Sequence, residues 1–181
     1  MLRVAAFLRG MNLGRRRISN ADLRAHVEAL GFVDVATFRA SGNVILTAPE
    51  HDTLGAVAQR LEAGLREALA YDVPVFARSA EQVRAMAALQ PFGDDELAAS
   101  KGKPQVMLLE RRPSAAARRA ALALAPDGDR FVFDAAELHW LPMVGLSETT
   151  LDMKALAKAI GHATVRTKGT IELIAERYLS G

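Results

Sequence analysis

The apolar positions repeat one order of elements twice along the chain. Leu2, Val4, Ala6 and Leu8 alternate with Arg3, Ala5, Phe7 and Arg9, the period of a strand with one aliphatic face. Leu23, Val27 and Leu30 share a face of a predicted helix over 20–30. Ser19 with Asp22 resembles a capping box at its start, and Gly31 stops it. Residues 33–39 and 43–48 predict a hairpin through Ser41-Gly42. A longer helix over 53–70 carries Leu54, Val57, Leu61, Leu65 and Leu69 on one face. Residues 72–77 form a closing strand that Pro74 confines to a sheet edge.

The second half repeats this order. After a connecting helix over 80–89 and a Pro-, Gly-, Asp- and Lys-rich linker over 90–103 come strand 104–110 and helix 114–124. Strands 130–134 and 137–142 follow, joined by a turn at Asp134–Glu137. Helix 152–160, a short strand at 163–166 and a last helix over 170–179 complete the chain. Two βαββαβ runs predict an α+β protein of two ferredoxin-like subdomains with a connecting helix and an extra C-terminal helix. The boundaries are 1–78, 79–103 and 104–181. Each subdomain leaves one sheet face without helices. On the first strand the aliphatic face meets the helices, and the face of Arg3, Ala5, Phe7 and Arg9 opens toward a groove. In the pair His139-Trp140, one residue is core and the other surface.

With 181 residues and half of them hydrophobic, the chain can bury a real core. No apolar run nears the ~18 residues that would span a membrane. The arginines within 1–9 make a poor signal peptide, and the reading is cytoplasmic. The sequence has no cysteine, which excludes disulfides, thiolate catalysis and thiolate metal sites. Net charge is +2 but is laid out in blocks: +4 over 1–48, +5 over 101–125 and −5 over 126–152. Alternating blocks point to local patches rather than to a uniformly basic nucleic-acid binder.

Two junctions carry the candidate chemistry. In the first, Arg9-Gly10-Met11-Asn12-Leu13-Gly14-Arg15 and two further arginines lead from strand one to the helix capped by Ser19. Gly10 and Gly14 permit positive φ and close backbone approach, Asn12 satisfies loop backbone groups, and the arginines add charge beside a helix N-terminus. In the second, Arg166-Thr167-Lys168-Gly169-Thr170 turns a short strand into the last helix, with Thr170 as its cap. Both also read as ordinary turns with solvated cations. Walker spacing, a G-x-S-x-G elbow and a G-x-G-x-x-G fingerprint are all missing, and no two of the four histidines have metal-ligand spacing. Asp94-Asp95-Glu96 reads as a solvated linker cluster. Phe7, Phe38, Phe131 and Phe133 read as core rather than as a stacking platform for bases.

Phe7-Leu8-Arg9-Gly10-Met11-Asn12-Leu13-Gly14, Ala21-Asp22-Leu23-Arg24, Leu30-Gly31-Phe32 and Ser41-Gly42-Asn43-Val44 resemble the DUF1697 family of uncharacterised, mostly bacterial proteins. The resemblance is specific in the first 50 residues and extends through Asp72-Val73-Pro74-Val75 and Pro91-Phe92. It implies a two-part α+β protein with ferredoxin-like halves and no established activity. The chain departs from the family pattern at two places. Arg15-Arg16-Arg17 stands where a further glycine is usual, and Thr167-Lys168 stands where Asn-Trp is usual.

The expected function is binding of a small phosphorylated or carboxylated ligand in a cleft lined by the two junctions. Arg9, Gly10, Asn12, Gly14, Arg15, Arg166, Lys168 and Thr170 would hold the anion, with Ser41 and Asn43 orienting it. No metal or cofactor is expected, and the residues leave open whether there is a reaction. The alternatives are a nucleic-acid binder using the basic patches and a homo-oligomeric protein using its open sheet faces.

Overall fold

The computed structural model describes residues 1–11, 18–39 and 42–180. They form two compact units, residues 1–86 with 173–181 and residues 87–172. The C-terminal segment therefore groups with the first unit. In that unit Arg84 Nη1 donates to the Leu179 carbonyl at 2.7 Å, and Tyr178 meets Phe38 edge-on at 5.9 Å.

The first unit runs β1 (Leu2–Leu8), α1 (Asn20–Ala29), β2 (Val33–Thr37), β3 (Asn43–Ala48), α2 (Leu54–Leu69) and β4 (Val75–Ser79). Its antiparallel sheet has the order β2-β3-β1-β4, the ferredoxin-like arrangement, with β4 at an edge; Pro74 precedes this strand rather than lying in it. Val4, Ala6 and Leu8 of β1 join Leu23 and Val27 of α1 and Val57, Leu61 and Leu65 of α2 in one core. Ser19 Oγ accepts from the Asp22 N–H at 3.0 Å, so the predicted cap of α1 is real. The opposite face of β1 does not open to a groove. Ala5 and Phe7 are buried there, at 1% and 0% exposure, and only Arg9 at the strand's end is exposed.

Two backbone positions in this unit give testable stabilities. Ala70 ends α2 in the left-handed region at φ 60°, exposed, where its Cβ is a liability. Ala70→Gly is expected to raise the unfolding free energy by about 0.5–1 kcal/mol in urea titration. Gly42 has φ 72°, and a Cβ there would stand 3.0 Å from Leu8 Cβ and 3.2 Å from the Leu8 carbonyl oxygen. Gly42→Ala is expected to cost about 2 kcal/mol or more in the same titration, from strain and overlap together.

Along the chain α3 (Ala80–Ala88) leads to α4 (Asp94–Ala99), then β5 (Gln105–Leu109), α5 (Ala115–Leu122), β6 (Arg130–Asp134), β7 (Glu137–Leu141), α6 (Met153–Ile160), β8 (Ala163–Thr167) and α7 (Lys168–Tyr178). The second sheet has the order β6-β7-β5-β8, the same antiparallel plan. The linker is not wholly irregular, because its carboxylate cluster opens α4. Asp94, Asp95 and Glu96 fill the positive first turn, and Glu96 accepts from the Gly93 N–H at 3.0 Å. Met107 and Leu109 of β5, Leu138 and Trp140 of β7 and Leu156 and Ile160 of α6 form the second core. No described helix is long and apolar enough to cross a membrane.

Candidate functional site

The last helix starts three residues earlier than its predicted cap implies. Thr170 is not the cap. It lies in the first turn of α7, and its N–H donates to Thr167 Oγ1 at 3.2 Å. Thr167, the last residue of β8, thus caps the helix, and strand passes to helix without a loop. The Lys168 N–H at the first helical position donates to the Pro104 carbonyl at 2.9 Å. The N–H of Gly169, at the second, finds no acceptor among the described residues. Gly169 is exposed, and a Cβ added to it would meet nothing within 4 Å.

Lys168 is 7% exposed, and its Nζ donates to the carbonyls of Ala87 at 2.7 Å and Leu89 at 2.6 Å, around the C-terminal end of α3. Glu172, one turn on, brings a carboxylate oxygen to 3.9 Å from the same ammonium. Burial pushes the Lys168 ammonium below its ordinary pKa, and Glu172 opposes the shift.

Beside this helix start lies a cavity of about 200 Å³ whose wall includes Lys168, Gly169, Glu172, Gln105 and His139, with apolar sides from the linker. His139 is 1% exposed, and its Nε2 has no hydrogen-bond partner among the described residues. The register explains the vacancy: His139 lies between Val106 of β5 and Val132 of β6, neither of which offers a polar side-chain atom. The imidazole pKa is pushed down to about 4, first by burial and then by the Lys168 charge, with Asp134 opposing. At neutral pH the ring is therefore uncharged, an N–H donor at one nitrogen and an acceptor at the other.

Arg166, next to Val106 on the other side, is 8% exposed, and its pKa is pushed down to about 10 by burial. Its Nη1 donates to Thr164 Oγ1 and to the Val165 carbonyl, both at 2.8 Å. Thr170 is buried, with its hydroxyl 2.9 Å from that of Thr167. Of the predicted residues of this junction, Arg166 and Thr170 are engaged by neighbours, while Lys168 closes a helix end and lines the cavity.

In the first unit the described part of the other junction is Arg9 and Gly10. The Arg9 N–H donates to the Pro74 carbonyl at 3.0 Å, and Gly10 takes φ 74°. Asn43 is buried at the start of β3, where its Nδ2 donates to the Phe38 carbonyl at 2.8 Å and closes the hairpin. Asn12, Gly14, Arg15 and Ser41 lie outside the described residues.

The cavity wall also holds His139, Gln105 and Glu172, which the sequence did not single out for binding. His139 and Trp140 are both buried, not one core and one surface, because this sheet is covered on both faces at β7. The signal for His139 was parity: Leu138 and Trp140 enter the core, so His139 must face away from it. A larger cavity, about 450 Å³, has Arg111, Arg112 and Lys158 in its wall near the start of α5. Its cations lie at exposed or half-exposed positions, and it contains none of the buried unpartnered polar atoms. Among the described residues no group of three or more His, Asp or Glu could hold a metal ion.

The family model described as "Protein of unknown function (DUF1697)" matches residues 1–139. No curated protein matches the chain. The solved structure of a conserved bacterial protein from Streptococcus pneumoniae is similar at a TM-score of 0.73, with 18% identity over 97% of each chain. At that identity the likeness carries the fold alone.

Proposed function

We propose that this protein, which belongs to the DUF1697 family, binds a small anionic ligand at the junction between β8 and α7. The observation that carries the reading is a cavity whose wall includes Lys168, Gly169 and His139, the last with a buried Nε2 that has no hydrogen-bond partner among the described residues. A helix N-terminus attracts negative charge, and a cation beside it is locally unfavourable unless something balances it. Glu172 supplies part of that balance at 3.9 Å. A bound carboxylate or phosphate would supply the rest, and it would give the Gly169 N–H an acceptor.

A thermal-shift series with nucleotides, sugar phosphates and organic acids tests this. A ligand present at 100 times its Kd adds about 2.7 kcal/mol, which for a chain of this size raises Tm by about 5–10 °C. Gly169→Asp is the control, because it places a carboxylate in the same spot. It is expected to abolish the ligand-induced shift while holding or raising the Tm of the free protein, since an acidic residue replaces glycine in a first helical turn. If no anion stabilises the wild type, the reading falls. If nucleic acid alone stabilises it, and the effect fades steeply with salt, a nucleic-acid binder replaces it.

A further inference from the structure

The composition of the cavity wall narrows the ligand, on the premise that the junction binds an anion at all. At about 200 Å³ the space is smaller than the ~300–1,000 Å³ that holds drug-sized molecules. Its charges nearly cancel, with Lys168 facing Glu172 and His139 neutral at physiological pH. Two of the ammonium's three protons already go to backbone carbonyls. What remains is the half-charge of a helix terminus and a pair of uncharged donors. That suits one negative charge spread over two oxygens. A phosphate dianion, with three oxygens and a second charge, would meet Glu172 without a cation to spare. The other walls, from Pro91, Phe92, Leu97 and Pro104, are apolar and suit a hydrocarbon or aromatic body.

We propose that the cavity takes a small organic monocarboxylate with an apolar body, one carboxylate oxygen accepting from the Gly169 N–H and the other from His139 as its Nε2–H tautomer. A buried ring nitrogen without a partner is a standing cost in the free protein, and a ligand oxygen removes it. The cross-strand neighbours Val106 and Val132 offer Nε2 no polar side-chain atom. His139 is on this account a specificity residue, favouring a planar two-oxygen acceptor over a tetrahedral one.

Phenylacetate, acetate and phenyl phosphate distinguish the possibilities by calorimetric titration, with the ¹⁵N resonance of His139 Nε2 followed by NMR. Phenylacetate is expected to bind at least about tenfold more tightly than the other two, consistent with apolar burial and one well-made hydrogen bond. It should also move the Nε2 resonance. His139→Leu, which packs between two valines, is expected to fold and to weaken phenylacetate by about tenfold. Tighter binding of phenyl phosphate overturns the carboxylate assignment and leaves the anion reading intact. So does phenylacetate binding that neither moves Nε2 nor weakens in His139→Leu. If none of the three probes binds, and no other anion shifts the Tm, both readings fall.

Discussion

Replacing Trp140 by alanine is expected to lower the stability of the second unit by about 3–5 kcal/mol, the usual cost of emptying a large aromatic site. Trp140 is 2% exposed on β7, among the largest buried side chains. Its ring meets Phe131 edge-on at 6.2 Å, and its Nε1 donates to Asp129 Oδ2 at 2.7 Å. The other oxygen of Asp129 accepts from the Met143 N–H at 2.8 Å, so the indole also steadies the turn before β6 and the segment after β7. Trp140→Phe keeps much of the packing and loses the hydrogen bond, for an expected cost of about 1–2 kcal/mol. Urea unfolding of the two variants checks both values. Equal costs would mean that the hydrogen bond, not the packing, dominates at this position.

The second large effect is an acid instability centred on His139. Its pKa is about 4 in the folded protein and near 6.5 when unfolded. Between those values the unfolded chain binds more protons than the native one, so native stability rises with pH across the window and is lost as pH falls. The full difference amounts to about 3 kcal/mol, present above pH ~6.5 and gone below pH ~4. Burial is the leading cause, Lys168 adds repulsion and Asp134 offsets part of it. Urea midpoints of the wild type and His139→Leu at pH 7.5, 6, 5 and 4 measure the term directly. The wild type should lose about 3 kcal/mol more than the variant over that range. Parallel curves would place the pH dependence elsewhere.

The fold was legible where local signals agreed. Alternation in β1, the leucine spacing of α2 and the Ser19 cap all pointed to the elements that formed, and the repeated strand–helix order gave both sheets. Where signals competed, the reading was incomplete or wrong. Asp94-Asp95-Glu96 read as solvated charge, and Asp94 and Asp95 are exposed, but the cluster also opens a short helix that was not expected. Thr170 looked like a cap because glycine at 169 suggested a loop, but Thr167 was nearer the strand and took the role. The groove expected beside β1 failed because Phe7 is buried on that face.

The candidate site was half legible for a similar reason. Lys168, Gly169 and Thr170 are contiguous, and a cation beside a new helix is visible in a string of letters. His139, Gln105 and the linker residues Pro91 and Phe92 come from other parts of the chain. The pairing of β5 with β7 and β8 brings Gln105 and His139 beside the start of α7. The charge of Lys168 was readable, but its two backbone carbonyl partners were not, since they depend on where α3 ends.

The backbone amide of Gly169 would report anion binding at the β8–α7 junction. In a ¹⁵N-resolved titration of the wild-type protein with phenylacetate and, separately, inorganic phosphate, at least one anion should shift the Gly169 N–H downfield. The shift should saturate, be among the largest in the spectrum and be absent in Gly169→Asp. An unmoved Gly169 resonance, while amides near Arg111 and Arg112 respond, would contradict the account and place anion binding elsewhere.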